Sequence, residues 1–138
     1  HFFELKRNPH PQERLIIPKN VSQRERSTYD LLKERLNIHD EFPDSSMTKG
    51  FVIAAGAGVA YLRIRCKGNE SVWDIAPFEL LVREAGGFAT TIDGKPIEYS
   101  NDGHAIDSCR GLIMTSKDEE FHQKVLEIYR EAYSRFYQ

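Results

Sequence analysis

The sequence predicts an α/β layered sandwich, in which helices flank a mostly parallel or mixed central sheet. Segments with helical periodicity alternate along the chain with short strand-like runs, which is the pattern of α/β domains. The 138 residues fit a single domain, and 40% hydrophobic with 29% charged residues is the composition of a globular protein. We therefore expect one folded domain with a sizeable core.

The first quarter of the chain predicts two strands and a helix. HFFEL at residues 1–5 has the composition of a strand, and a polar connection broken by prolines follows it. RLIIP at residues 14–18 is a β-branched run closed by a proline, which predicts a second strand. Residues 24–36 place apolar side chains at helical spacing. Ser22 and Glu25 match a capping box at the start of this helix.

The next segment predicts a loop, a compact helix and a strand. Residues 37–46 are polar and predict a loop that contains at most a short strand. Residues 46–55 carry small and apolar side chains, so they predict a tightly packed helix that ends at Gly56 and Gly58. VAYLRIRC at residues 59–66 predicts a strand.

A second apolar helix is predicted at residues 74–85, within the stretch SVWDIAPFELLVREAGG. Its apolar side chains form one broad face, and Gly86 and Gly87 end it. We expect Pro77 to lie in the first turn, where the missing N–H group has no cost. That position predicts a helix start at or near Asp74.

The remaining segment predicts two strands and a terminal helix. FATTI at residues 88–92 predicts a strand, and DGKP at residues 93–96 predicts a turn. GLIMT at residues 111–115 predicts the final strand, and residues 117–136 predict a helix with one apolar stripe. The stripe consists of Phe121, Val125, Ile128, Ala132 and Phe136.

The charge balance provides no overall attraction for polyanions, so any bound anion must be held locally. Nineteen basic and twenty-one acidic residues give a net charge of -2, so no overall positive field attracts a nucleic-acid polymer or an anionic membrane. No apolar run approaches the roughly 20 residues of a membrane span, and the first residues lack the long apolar region of a signal peptide. We therefore expect a cytoplasmic protein.

The cysteines and histidines show no metal-binding pattern. Cys66 and Cys109 lie far apart and neither has a CxxC partner, so we expect free thiols in a reducing compartment. The five histidines form no HxxxH or HxH pair, and we expect them to be dispersed surface residues without a role in a site. They are His1, His10, His39, His104 and His122.

Asp74 is the first candidate site residue, and two roles are open for it. As an N-cap it would accept a backbone N–H group and complement the helix dipole, a contribution of about 1 kcal/mol. As a metal ligand it would offer the carboxylate oxygen that hard cations such as Mg²⁺ require. Packing of Trp73 would fix its position in the second case.

The other candidates are residues that could hold an anion. Ser46 and Lys49 lie three positions apart in the first turn of a predicted helix, where a hydroxyl, an ammonium and free N–H groups form a phosphate cradle. The alternative is a serine cap beside a solvated lysine. Arg63 on the following strand could reach the same edge, or be an ordinary surface arginine. Ser22 precedes another helix start, where we favour the capping role with anion binding as a second use.

Two motifs carry a family resemblance. They are WDIAPFELLVREAGG at residues 73–87 and TTIDGKPI at residues 90–97. Together they resemble the C-terminal signature of the inositol monophosphatase superfamily, which comprises magnesium-dependent, lithium-sensitive phosphatases of small phosphorylated molecules. The resemblance implies the C-terminal domain of the sugar-phosphatase fold and makes Asp74 a Mg²⁺ ligand. In such enzymes, bound Mg²⁺ ions lower the pKa of the water that attacks the phosphate.

The stretch at residues 45–63 resembles one branch of this superfamily, the 3'(2'),5'-bisphosphate nucleotidases. In that branch a serine, a lysine three positions later and an arginine after Tyr-x bind the substrate, which implies these roles for Ser46, Lys49 and Arg63. The implied reaction converts 3'-phosphoadenosine 5'-phosphate to AMP. VSQRE at residues 21–25 departs from the family pattern, because it lacks the histidine of a Ser-Arg-Ser-His segment.

Inositol monophosphate and histidinol phosphate are alternative substrates, since phosphatases of both share the Trp-Asp motif. The family's other metal ligands lie in an N-terminal half that includes an Asp-Pro-Ile/Leu-Asp-Gly-Thr motif, which does not occur here. We therefore expect residues 1–138 to be a C-terminal domain that is inactive alone, with residues 1–12 as a linker or the end of a preceding domain. Expected partners are the N-terminal half, the phosphorylated substrate or a second copy of the chain. The alternative of another class is a non-catalytic module that binds nucleotide, phosphate or a partner protein.

Overall fold

The computed structural model describes residues 10–44, 49–64, 72–99 and 111–137, without the side chains of residues 72–74. The predicted strand at residues 1–5, Ser46 and both cysteines lie outside these ranges. The elements are β1 (Arg14–Ile17), α1 (Gln23–Leu36), β2 (Asp40–Pro43), α2 (Lys49–Ala54), β3 (Ala60–Arg63), α3 (Val72–Glu84), β4 (Phe88–Thr91), β5 (Leu112–Thr115) and α4 (Glu119–Phe136). Among the described helices, none is long and apolar enough to cross a membrane.

The sheet is mixed, with the strand order β2-β1-β3-β5-β4. Strand β1 pairs in parallel with both β2 and β3, whereas β5 runs antiparallel to β3 and β4. The carboxyl ends of β1, β2 and β3 therefore lie at one edge of the sheet, where they meet the amino end of β5. We call this the carboxyl edge.

Helices cover both faces of the sheet. Helices α1 and α4 pack together on one face, and α2 and α3 pack together on the other. Successive side chains of β1 point to opposite faces of the sheet. Leu15 and Ile17 belong to the core under α1 and α4, whereas Ile16 belongs to the core under α2 and α3. The predicted α/β layered sandwich with a mixed sheet is confirmed.

Side-chain caps fix the starts of the two helices on the first face. The Ser22 hydroxyl accepts the Glu25 N–H at 3.2 Å, so the predicted capping role of Ser22 is confirmed. The Asp118 carboxylate accepts the Phe121 N–H at 2.9 Å at the start of α4. Each cap satisfies a backbone donor that has no partner within its own helix.

The predicted placement of Pro77 in the first turn of α3 is wrong. The helix already includes Val72, two residues before Asp74, so Pro77 lies in the second turn. A proline there forgoes one intrahelical hydrogen bond. The helix continues past it because Ile75 and Val82 are buried against the sheet. The predicted end is confirmed, since the Gly87 N–H donates to the Val82 carbonyl at 2.9 Å and closes the last turn.

His122 is buried, which contradicts its prediction as a surface residue. Only 1% of its surface is exposed. Its ring forms hydrogen bonds to both of the last two strands: Nε2 lies 2.8 Å from Thr90 Oγ1 in β4, and Nδ1 lies 2.8 Å from Thr115 Oγ1 at the end of β5. The Thr90 hydroxyl donates its hydrogen to the Thr91 carbonyl, so it accepts from Nε2–H. The Thr115 hydroxyl then donates to Nδ1. A neutral imidazole satisfies this network completely.

Stability is expected to fall in mild acid because of His122. Burial lowers the pKa of its imidazole to about 4, from an ordinary value of 6.5, so the unfolded chain takes up a proton before the folded one does. The contribution of His122 to the free energy of unfolding is therefore largest above pH 6.5 and decreases by about 3 kcal/mol as the pH falls to 4. Chemical denaturation at several pH values measures this slope.

Two glutamine variants isolate the contribution of the buried ring. His122→Gln removes the titration and is expected to flatten the pH dependence over this range, although carboxylate protonation remains. His39→Gln removes an exposed imidazole and should leave the slope unchanged. Identical slopes for the native chain and His122→Gln would contradict the prediction.

Candidate functional site

Two predicted substrate-binding residues lie on the same face at the carboxyl edge. Lys49 is the first described residue of α2, and Arg63 is the last residue of β3. The Lys49 Nζ lies 5.4 Å from the centre of the Tyr61 ring. Tyr61 belongs to the core under α2 and α3, and Arg63 follows it by two positions, so both side chains leave the strand on that face. We call Lys49 and Arg63 the cation pair.

The electrostatics of the cation pair favour an anion. Burial lowers the pKa of the Lys49 ammonium, a nearby carboxylate at Asp44 raises it, and the positive charge of Arg63 lowers it. The lysine is half-buried, so it interacts with neighbouring charges more strongly than a solvated lysine would. An anionic ligand between the two cations would relieve their mutual repulsion and compensate for the lost hydration of the lysine.

The backbone of Asp74 lies at the same end of the α2/α3 pair. Gly50 packs directly against Phe78, and a Cβ atom at Gly50 would overlap the Phe78 Cβ. Asp74 precedes Phe78 by one helical turn, and Lys49 directly precedes Gly50 in α2. Because both helices follow parallel strands, both begin near the carboxyl edge. The first turn of α3 is therefore next to Lys49.

Ser22 also follows a parallel strand, β1, and so lies near the carboxyl edge, but in the opposite helical layer from Lys49 and Arg63. It is exposed, and its hydroxyl is engaged with the first turn of α1. Helix α1 covers the opposite face of the sheet from Lys49 and Arg63. Its substrate-binding role stays a prediction, as do the roles of Ser46, which lies outside the described residues, and of Asp74.

The end of β3 is held by contacts that the sequence did not reveal. The Tyr29 hydroxyl donates to the Leu62 carbonyl at 3.0 Å from α1. From the β5 side of the sheet, Gly111 packs against the end of β3. Its φ is 122°, and a Cβ atom at this position would overlap the carbonyl oxygen of Arg63. These contacts fix the backbone from which Arg63 extends. Gly111 could have been noticed as a glycine directly before an apolar strand.

The described residues provide few ligands for a metal ion. Among the side chains that the structure describes, which do not include those of residues 72–74, no three from His, Cys, Asp or Glu cluster. Asp74 offers the oxygen chemistry that Mg²⁺ requires, but a single carboxylate does not hold the ion against water. A magnesium site built on Asp74 therefore requires further oxygen ligands.

The sequence is similar to those of curated nucleotidases. A 3'(2'),5'-bisphosphate nucleotidase from Emericella nidulans is 39% identical over 74 residues, which covers 52% of this chain and 21% of that protein. A probable 3'(2'),5'-bisphosphate nucleotidase from Arabidopsis thaliana is 24% identical over 141 residues, which covers 93% of this chain and 40% of that protein. The chain thus spans less than half the length of these curated relatives.

Solved structures show the same fold. An IMPase from Thermotoga maritima matches 99% of this chain and 48% of its own, with a TM-score of 0.68 and 18% identity. An IMPase/NADP phosphatase in complex with Mg²⁺ and phosphate matches 91% of this chain and 42% of its own, with a TM-score of 0.56 and 20% identity. The model of the inositol monophosphatase family matches residues 2–133, almost the whole chain. The chain therefore belongs to the inositol monophosphatase family.

Proposed function

We propose that this chain is the C-terminal domain of a magnesium-dependent phosphatase that hydrolyses a small phosphate monoester. The leading candidate substrate is 3'-phosphoadenosine 5'-phosphate, with AMP as the product. The observation that carries the proposal is the cation pair on one face of the carboxyl edge, beside the first turn of the helix that contains Asp74. The similarity to bisphosphate nucleotidases supports the choice of substrate.

Each site residue has a distinct role in this proposal. The Lys49 ammonium and the Arg63 guanidinium bind phosphate oxygens, and the Arg63 fork contributes two parallel hydrogen bonds. The Ser46 hydroxyl adds a further hydrogen bond from the start of the same helix as Lys49, and Ser22 contributes from the opposite layer. Asp74 holds Mg²⁺, which supplies Lewis-acid polarisation of the phosphate and an activated water when bound.

The outer surface of α2 and α3 supports a further partner, the N-terminal metal-binding half. Phe51 and Leu80 are 55% and 59% exposed on this surface, whereas the exposed positions of α4 are mostly charged or polar. Exposed apolar side chains on one helical layer are typical of a surface that another part of a protein covers. The same half would supply the missing metal ligands, so we expect the 138-residue chain to be inactive alone.

Phosphate release by the full-length protein tests the proposal. We expect turnover of 3'-phosphoadenosine 5'-phosphate in Mg²⁺ and slower turnover of inositol 1-phosphate. Arg63→Ala should raise the KM at least about tenfold, because a lost charge-assisted hydrogen bond costs about 1.5–3 kcal/mol. The matched control is Arg130→Ala, an exposed arginine on α4 across the sheet, which should leave the KM unchanged.

Other outcomes would identify the alternatives. Faster turnover of inositol 1-phosphate or histidinol phosphate would assign the protein to one of those activities. Binding of a phosphate ester without turnover by the full-length protein would favour a non-catalytic module. Equal KM values for the native protein and Arg63→Ala would contradict the role of the cation pair.

A further inference from the structure

A proline ends the pairing between β1 and β3 at the carboxyl edge. Strand β1 ends at Ile17, and Pro18 directly follows it. The Ile17 carbonyl accepts the Asp44 N–H at 2.9 Å on the β2 side. Backbone groups of successive strand residues point to alternate sides, so those of residue 18 face β3. Because a proline has no N–H group, β1 lacks a donor at this position.

The missing donor would have reached the Leu62 carbonyl, one residue before Arg63. The parallel register pairs Ile16 with Tyr61. Continued by one step, this register directs the N–H group of residue 18 to the carbonyl of residue 62. Leu62 is 1% exposed, and a buried carbonyl without a donor is costly. The end of β3 therefore requires a hydrogen-bond donor from outside the β1 ladder.

The Tyr29 hydroxyl supplies this donor from the helical layer under α1 and α4. It lies 3.0 Å from the Leu62 carbonyl oxygen, and Tyr29 is 1% exposed. Burial raises the pKa of this hydroxyl well above its ordinary value of 10.0, so the group keeps its proton and donates at any physiological pH. A side chain of α1 thus takes the place of a strand-to-strand hydrogen bond.

This hydrogen bond acts on the backbone that carries Arg63. The Leu62 carbonyl and the Arg63 N–H belong to one planar peptide group, so a bond to the carbonyl restrains the orientation of both residues. On the β5 side, Arg63 is in register with Leu112. A guanidinium that binds phosphate through two parallel hydrogen bonds tolerates little displacement. The position of this peptide group therefore affects how well Arg63 can bind an anion.

We propose that Tyr29 is a positioning residue of the phosphate site, whose hydroxyl replaces the N–H group that Pro18 lacks and holds the end of β3 so that Arg63 is presented to the anion. The inference rests on the proposed function, because the anion is the phosphate of the substrate. Tyr29 itself does not touch the anion, since it is buried in the core under α1 and α4.

Binding of inorganic phosphate to the full-length protein tests this inference. Tyr29→Phe removes only the hydroxyl and should weaken binding about three- to fivefold, less than the loss expected from Arg63→Ala. Addition of Pro18→Ala restores a backbone donor and should return the affinity to within about twofold of the native value. Thr28→Val is the matched control, because it removes a buried hydroxyl that donates to the Arg24 carbonyl within α1. It should leave the affinity unchanged.

A double variant separates positioning from a general loss of stability. If Tyr29 acts through Arg63, Tyr29→Phe should cause no further loss of phosphate affinity in a protein that already carries Arg63→Ala. An equal loss in the native and Arg63→Ala backgrounds would indicate a merely structural role and overturn the proposal. A loss that Pro18→Ala does not reverse would also overturn it.

Amide hydrogen exchange at Arg63 gives a readout that does not depend on phosphate. Tyr29→Phe should accelerate exchange at this N–H group at least about tenfold, and Pro18→Ala should reverse the change, because each variant alters the hold on the same peptide group. Unchanged exchange would contradict the proposal. Faster exchange in Tyr29→Phe, together with no phosphate binding by the native protein, would support the hold on β3 and contradict the proposed function.

Discussion

Asp74→Asn is expected to reduce phosphate release by the full-length protein about 100- to 1000-fold, the largest effect on activity of any variant considered. The first turn of α3 lies beside Lys49 at the carboxyl edge, where a carboxylate can hold Mg²⁺ near a bound phosphate. The amide keeps the shape of the side chain but removes its charge, and a weakened metal site loses several kcal/mol of transition-state stabilisation. Initial rates over a range of Mg²⁺ concentrations measure this loss.

The control must separate metal binding from helix stabilisation. A carboxylate in a first turn stabilises a helix by at most about 1 kcal/mol through the helix dipole. Glu120→Gln changes such a carboxylate in α4, across the sheet, and should leave the rate unchanged. If Asp74→Asn only lowers the melting temperature by a few degrees and keeps full activity, Asp74 is not a metal ligand. Turnover by the 138-residue chain alone, abolished by Asp74→Asn, would contradict the proposal of an incomplete site.

Gly111→Ala is expected to lower the free energy of unfolding by about 3 kcal/mol or more. A φ of 122° is unfavourable for any residue with a Cβ atom, and this Cβ would also overlap the Arg63 carbonyl and lie 3.1 Å from the Ile64 carbonyl. Neither carbonyl can move without disturbing β3 in the middle of the sheet. Thermal unfolding should show a decrease in melting temperature of about 10 °C. Phosphate affinity should decrease as well, since Arg63 extends from the displaced backbone.

Gly94→Ala provides the comparison for this variant. Gly94 also has a positive φ, of 82°, but a Cβ atom there would meet only side chains, at 3.3 Å from Leu126 and 3.7 Å from Arg130. We expect a loss of about 1 kcal/mol from backbone strain alone. Equal losses at the two glycines would show that the contact with Arg63 contributes nothing.

Most helices and strands could be predicted from local sequence patterns. The features that were predicted wrongly depend on contacts between residues far apart in the sequence. The apolar stripe of α4 and the capping residue Ser22 could be read from neighbouring positions, so both predictions are confirmed. The position of Pro77 within α3 was wrong because prolines favour a first turn, whereas burial of Val82 and its neighbours maintains the helix through Pro77. His122 was misjudged because its two threonine partners lie on different strands.

The candidate site was only partly visible in the sequence. Lys49 and Arg63 were identified by motif, but their common face depends on the alternation in β3 and the ring of Tyr61.

The strand order also has a consequence for how the chain folds. Every strand pair joins residues more than twenty positions apart, so none of the described pairs can form as a local hairpin. Closing the long loops between paired strands costs conformational entropy before the strand contacts can form, and this makes folding slow. Strand β5 is the last described strand in the sequence, yet it lies between β3 and β4. During synthesis, β4 therefore has no partner strand until β5 leaves the ribosome, and a chain that stops before Leu112 would keep that edge of the sheet open.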